Sequence, residues 1–291
     1  MDEAFRQLAI AGETNPQIRL QVFNLAGQVF GDDVEAIANA ACPSAAMRVQ
    51  LALYLAGQQK FAEAMRIWSG TQNRNSEREL ADELKKQLID AKQFQDALVV
   101  MREFEPDSGD LPVSGQFING GFEAGTALIS SDNFGWSITS ASPAQMAIDS
   151  QAHSGRNSLR IVFSAPTKLD AIHVSQVIVV EPDTQYHFEC WARTNDLTTG
   201  SPPLITIVSA TDNATLASSP PLPTGTNDWQ RIALDFKTKP KSDGVIVKLI
   251  RQPCDDASVC PIFGTVWYDD FNLQRSSGPA GSRGTAAIGK R

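Results

Sequence analysis

A chain of 291 residues, 42% of them hydrophobic and 20% charged, has room for two domains, each with its own core, and the ordinary composition of a globular protein. Its formal net charge of −8 argues against general nucleic-acid binding, which needs a basic face, and no basic run with interleaved aromatics occurs. The longest apolar runs, such as Val177 to Val180, are strand-sized and far short of a membrane span.

The N-terminus, Met1-Asp-Glu-Ala-Phe-Arg, has no apolar signal core and starts directly in helix-like sequence. That is compatible with a cytoplasmic protein or with a segment of a longer exported one. Residues 1–105 read as helices, with apolar positions three and four apart, as in Leu51, Tyr54, Leu55 and in Phe61, Ala64, Met65, Trp68. Pro16 and Pro43 stand at helix starts, and Gly12, Gly31, Gly57 and Gly70 at stops. A ladder of six or seven short helices is expected. Within it, Phe61 aligns with Phe94 and Ala64 with Ala97, each pair 33 residues apart. That spacing, with a small-residue turn before an aromatic and then alanine, resembles tetratricopeptide repeats, whose period is about 34. The resemblance implies antiparallel helix pairs brought close by the alanines and a protein partner bound by the helical half. With two good copies, fewer than a free-standing solenoid needs, the end of a longer array is expected, a non-repetitive bundle being the alternative.

At 106–115 the composition turns to Pro, Gly, Asp and Ser, which reads as a linker. Beyond it, short β-rich runs alternate with Gly, Pro, Asn and Asp clusters. Strands are predicted at 135–140, 144–149, 158–164, 172–180, 185–193, 204–210, 228–237, 245–251 and 265–274. The long loops between them suggest an all-β jelly-roll sandwich over 116–275 rather than an immunoglobulin domain. The Gly-, Ser-, Ala- and Arg-containing tail, 276–291, has no apolar anchor and is expected to be disordered.

Four cysteines are present. Cys42 and Cys190 read as buried small hydrophobes. Cys254 and Cys260 bracket a short polar loop, without a second cysteine pair or a nearby histidine to complete a zinc site. They are expected to form a disulfide, which implies an oxidising, extracytoplasmic (periplasmic or secreted) setting.

A wider pattern carries a second resemblance. Asn119-Gly-Gly-Phe-Glu-Ala-Gly is followed by Phe134-Gly-Trp136, by His153-Ser-Gly-Arg-Asn-Ser-Leu159 and by Gln176-Val-Ile-Val-Val-Glu-Pro. Then come Tyr186-His-Phe-Glu-Cys-Trp191, Trp229-Gln-Arg-Ile and Trp267-Tyr-Asp-Asp-Phe-Asn-Leu273. In order and spacing this resembles the carbohydrate-binding modules of the family four, nine and twenty-two group, with their galactose-binding-like jelly roll. The resemblance implies a structural calcium between the first and last strands. Glu123, the Gly121 carbonyl, Asp269 or Asp270, and carbonyls near Arg156 and Asn157 would be its ligands, a set of hard oxygens from separated segments. Adjacent aspartates on a strand point to opposite faces, so only one of the two is expected to ligate. The alternative is that these groups merely hydrogen-bond in one corner.

A sugar site needs aromatic faces and planar polar groups. Strict alternation along 186–193 puts Tyr186, Phe188, Cys190 and Ala192 in the core, and His187, Glu189, Trp191 and Arg193 on the other face. That second face is the expected carbohydrate site, a packed Trp191 beside a Glu189–Arg193 surface ion pair being the alternative. Trp136 is a further candidate, with the core as its alternative. Trp229 and Trp267 are assigned to structure, and His153 and His173 to ordinary surface or loop histidines. Asn213-Ala-Thr215 matches a glycosylation acceptor without other support. Nucleophile elbows, phosphate-binding loops, dinucleotide fingerprints and His-Glu-x-x-His are absent, and no enzyme is expected. The expected function is glycan binding joined to protein docking, in polysaccharide export or cell-envelope assembly. A scaffold whose jelly roll binds no sugar is the rival.

Overall fold

The computed structural model describes residues 2–72, 77–104, 112–125, 134–140, 144–164, 167–168, 172–252, 254 and 259–276. Most of the expected linker and nearly all of the expected tail lie outside the described residues. The chain divides into two compact units, Met1–Leu111 and Pro112–Arg291.

Unit one holds seven described helices: α1 Asp2–Thr14, α2 Pro16–Phe30, α3 Val34–Ala41, α4 Ala45–Gly57, α5 Phe61–Gly70, α6 Arg78–Asp90 and α7 Phe94–Phe104. Local chemistry sets their starts. The Asn15 side chain accepts from the Gln17 and Ile18 amides, Asp33 from Ala36, and Ser44 from Met47, which satisfies N–H groups that the helix leaves free. The α4–α5 and α6–α7 hairpins have matching turns. Gln59 and Lys92 both take positive φ, 61° and 64°, and the next amide in each turn, Lys60 or Gln93, donates back to Leu55 or Leu88. Ala64 and Ala97 are completely buried, as close helix approach requires. Phe94 is buried, but Phe61 is only half-buried.

Unit two is built on two five-stranded sheets. One has the order β1 (Ser137–Ser140), β5 (Ile172–Val179), β10 (Gly244–Arg251), β7 (Pro203–Ser209), β8 (Thr215–Ser218). The other has the order β2 (Gln145–Asp149), β3 (Ser158–Phe163), β12 (Ile262–Arg275), β6 (Gln185–Thr199), β9 (Gly225–Lys237). A short pair, β4 (Thr167–Lys168) and β11 (Val259–Cys260), completes the described strands. All pairings within the sheets are antiparallel. The shared core takes alternate residues from both sheets, such as Leu159, Ile161, Phe188, Cys190, Val245 and Tyr268.

The nine predicted strands are present with shifted ends, and β4, β8 and β11, two to four residues each, were too short to carry a pattern. The largest shift is in β6, which runs on to Thr199 through residues beyond its predicted end at 193. Register shifts against β9 and β12 absorb them, with Asp196 at φ 50° and Leu197 buried.

Candidate functional site

The opening segment 117–125 lies against the closing strand. Phe117, Phe122, Trp136 and Phe271 form one aromatic cluster, with ring centroids 4.8 to 6.0 Å apart. Trp136 is 1% exposed and its ring N–H donates to the Asn119 carbonyl at 3.1 Å. Trp136 is therefore a core residue and not part of a ligand face. With its one donor satisfied and its ring enclosed, it has no surface to offer.

The polar corner beside this cluster departs from expectation in a second way. Asp270 has φ 52°, and β12 shifts register against β6 between Asp269 and Asn272. This β-bulge breaks the alternation that would separate the two aspartates. Both carboxylates consequently reach the 153–154 loop. Asp269 Oδ2 accepts from the His153 and Ser154 amides at 2.8 and 3.2 Å. Asp270 accepts from Ser154 Oγ at 2.7 Å and meets His153 Nδ1 at 2.6 Å. The bulge also frees the Phe271 amide to donate to Gly120 at 3.0 Å. A Cβ on Gly120 would stand 2.2 Å from the Phe271 carbonyl oxygen, so only glycine allows this approach.

Glu123 closes the corner. Its Oε1 accepts from the Arg156 and Asn157 amides at 2.8 and 3.0 Å, so the loop presents N–H groups there where carbonyls were expected. These amides hold the Glu123 pKa below its usual range, whereas burial pushes that of Asp269, 0% exposed, upward. Gly121 lies among the three carboxyl groups: a Cβ there would meet Asp270 Oδ1 at 3.7 Å, and Asp269 Oδ1 and Glu123 Cγ at 3.8 Å. The donor set is hard and anionic, which suits calcium. Among the described residues, however, no three Asp, Glu, His or Cys side chains converge closely enough to hold a metal by themselves. Any calcium there also needs main-chain oxygens such as the Gly121 carbonyl.

The strand β6 alternates as expected. Tyr186, Phe188, Cys190 and Ala192 are buried, and His187, Glu189, Trp191 and Arg193 are half-buried on the outer face. The Glu189–Arg193 ion pair of the alternative reading does not form. Arg231, directly opposite Trp191 on β9, takes Glu189 instead, at 2.8 Å through Nε and 2.6 Å through its terminal nitrogen. His187 stands between Asp235, 2.8 Å away, and Arg231, 3.2 Å away. Arg193 lies over the ring of Trp267, 5.8 Å from its centroid.

Three residues that sequence reasoning treated as structural or ordinary belong to this face. His153 stacks on Trp191 with centroids 3.9 Å apart and planes 14° apart, and its ring also meets Trp229 edge-on at 5.7 Å. Trp267 is half-buried and donates to Asp149 at 3.2 Å. Alternation in β12, with Val266 and Tyr268 in the core, carried that signal for Trp267. Nothing local marks His153, which arrives from a loop. The opposite sheet contains no Phe, Tyr or Trp in any of its five strands.

Cys254 is bonded to Cys260, whereas Cys42 and Cys190 are free and buried. Burial pushes the Cys42 thiol up to about 12 and that of Cys190 upward as well, so both are poor nucleophiles. No described helix is long and apolar enough to cross a membrane.

Residues 114–256 match the model of a family described as carbohydrate binding domain. No curated protein matches the chain. Among solved structures, a CBM4 module is 14% identical with a TM-score of 0.41, over 54% of this chain and 98% of that one. TmCBM61 bound to beta-1,4-galactotriose is 16% identical with a TM-score of 0.36, over 56% of this chain and 100% of that one. The enzymatically active domain of bacteriophage CBA120 tailspike protein 4 is 18% identical with a TM-score of 0.39, over 54% of this chain. Only 21% of that tailspike domain is covered.

Proposed function

We propose that the sandwich is a non-catalytic module that binds polysaccharide, and that the helical unit, read as tetratricopeptide-like, docks a protein partner. The carrying observation is the match of residues 114–256 to a carbohydrate binding domain. The confinement of strand aromatics to the sheet that holds Trp191, Trp229 and Trp267 supports that face as the site. On it, Trp191 and Trp267 supply flat apolar surface for sugar C–H groups, and His187, Glu189 and Arg193 supply hydroxyl partners. The matched hairpin turns at Gln59 and Lys92 support the repeat reading. The Cys254–Cys260 bond supports an extracytoplasmic setting, where export or envelope assembly would use such a pair of units.

A structural calcium at the corner belongs to the same reading. Glu123, Asp269 and Asp270 would hold it with the Gly121 carbonyl and oxygens near Asn157. Bound there, it would offset carboxylate repulsion and fasten the opening segment to β12.

Titration of the full chain against a panel of neutral and acidic polysaccharides, with calcium present, tests the proposal. Binding that Trp191→Ala and Trp267→Ala both weaken supports it. Binding that survives both substitutions moves the site to the opposite sheet. A second reading, a scaffold whose jelly roll binds no sugar, is favoured by one observation: His153 covers a face of Trp191 where a sugar ring would stack. Binding to no polysaccharide selects that reading.

A further inference from the structure

Three outward side chains stand abreast across the β3, β12 and β6 strands: Arg160, Trp267 and Arg193, joined by register. Their neighbours in each strand, Leu159 and Ile161, Val266 and Tyr268, Ala192 and Thr194, are buried, so all three point away from the core. The cations differ in their partners. Arg160 pairs with Asp149 Oδ2 at 3.0 Å, and Arg231, farther along the face, pairs with Glu189. Asp149 is fully engaged: Oδ2 also accepts from Trp267 and Oδ1 accepts from the Gln151 amide at 3.2 Å. Arg193 makes no hydrogen bond and no ion pair among the described residues, and its Nε is buried without a partner. Half-buried guanidinium groups ordinarily find acceptors, because a desolvated N–H that bonds to nothing costs free energy.

We propose that Arg193 and Trp267 form a subsite for an acidic sugar, a uronic acid whose ring stacks beside Trp267 and whose carboxylate pairs with Arg193. This rests on the carbohydrate-binding reading and adds the charge class of the ligand. The planar fork of a guanidinium accepts a carboxylate in two parallel hydrogen bonds. Arg193 is half-buried and held over an aromatic face, so little side-chain freedom remains to be lost on binding. Two carboxylates of the same face do not compete: Asp149 is committed to Arg160 and Glu189 to Arg231.

The test is calorimetric titration of the full chain with a uronic-acid oligosaccharide, with its carboxyl-reduced neutral counterpart, and with a sulfated oligosaccharide. The net charge of −8 opposes a polyanion at long range. The titration is therefore run at physiological ionic strength, where charges farther apart than about 8 Å are screened. The uronate should bind more tightly than its reduced form. Arg193→Ala should weaken the uronate by about 10- to 100-fold, the value of a charge-assisted pair, and weaken the reduced form, which loses only a neutral hydroxyl partner, far less. Arg193→Lys keeps the charge and a stem over Trp267, so it serves if the alanine variant does not fold, and it should fall between the two. Equal binding of the uronate and reduced forms, or of the uronate and sulfated forms, overturns the inference, as does uronate binding indifferent to Arg193. Binding of neutral oligosaccharides alone overturns it while leaving the carbohydrate reading intact, and binding of none overturns both.

Discussion

Two sets of aromatic side chains flank β12, and they differ in what surrounds them. On the inner side Phe271 meets Phe117, Phe122 and Trp136, ring against ring, with the indole N–H of Trp136 satisfied by a carbonyl. On the outer side Trp267, Trp191 and Trp229 each stay half-buried. Their neighbours there are an arginine and a histidine rather than other hydrocarbon. The inner set is closed and works by exclusion of water, whereas the outer set keeps apolar surface beside groups that can exchange partners. Residue type does not separate the two sets, since a tryptophan belongs to each. The side of β12 on which each lies does.

The sharpest way to break this comparison is to truncate one tryptophan on each side. Trp136→Ala should destabilise the sandwich by about 3–5 kcal/mol, the cost of a large core cavity, read by urea unfolding. Trp267→Ala should cost far less and show itself in ligand titration instead. Equal losses of stability would abolish the distinction between the two sides.

Next in size is the contact that fastens the opening segment. Gly120→Ala puts a methyl group 2.2 Å from the Phe271 carbonyl oxygen and should cost about 1–3 kcal/mol as backbone shifts to relieve it. Gly27→Ala serves as control, since a Cβ there meets nothing within 4 Å.

The carboxylate corner gives a third test. Calcium at a hundred times its dissociation constant should add about 2.7 kcal/mol to stability, and a chelator should remove it. Glu123→Gln should abolish that response in thermal melts. Without metal the corner still titrates. The Glu123 pKa is lowered, so its contribution is complete above the unfolded value of 4.5 and is lost as pH falls through the lower folded value. Asp269 runs the other way. Its pKa is raised by burial, so its contribution is present below the unfolded value of 3.8 and is lost as pH rises through the folded value. Glu123→Gln should therefore flatten the fall in melting temperature between about pH 5 and pH 3. Acid curves identical to wild type would show that the amides of Arg156 and Asn157 do not hold that charge.

Smallest in stability, but most direct for the outer set, is His153→Ala. Losing the stack on Trp191 costs about 0.5–1.5 kcal/mol, and the contact of His153 Nδ1 with Asp270 is lost with it. It should shift Trp191 emission to the red as water reaches the ring, and it should strengthen sugar binding if Trp191 is a platform. Unchanged emission would mean that something other than His153 shields the indole.

Much of this molecule was legible from local pattern, because helices and strands bury residues at their own periods. The apolar spacing from Leu51 to Trp68, the helix start at Pro16, and the alternation from Tyr186 to Arg193 depend on neighbours a few positions away, and each appears in the structure. What local pattern could not supply was the effect of one segment on another. The bulge at Asp270 overrides alternation where Phe271 bonds to Gly120, some 150 residues earlier in the chain. The same tertiary step turned both aspartates into the 153–154 loop. That loop then laid His153 over Trp191, as β9 gave Glu189 to Arg231 and left Arg193 without an acceptor among the described residues. Period and capping are properties of a segment and can be read from it, whereas the partner of a side chain depends on which distant strand arrives beside it.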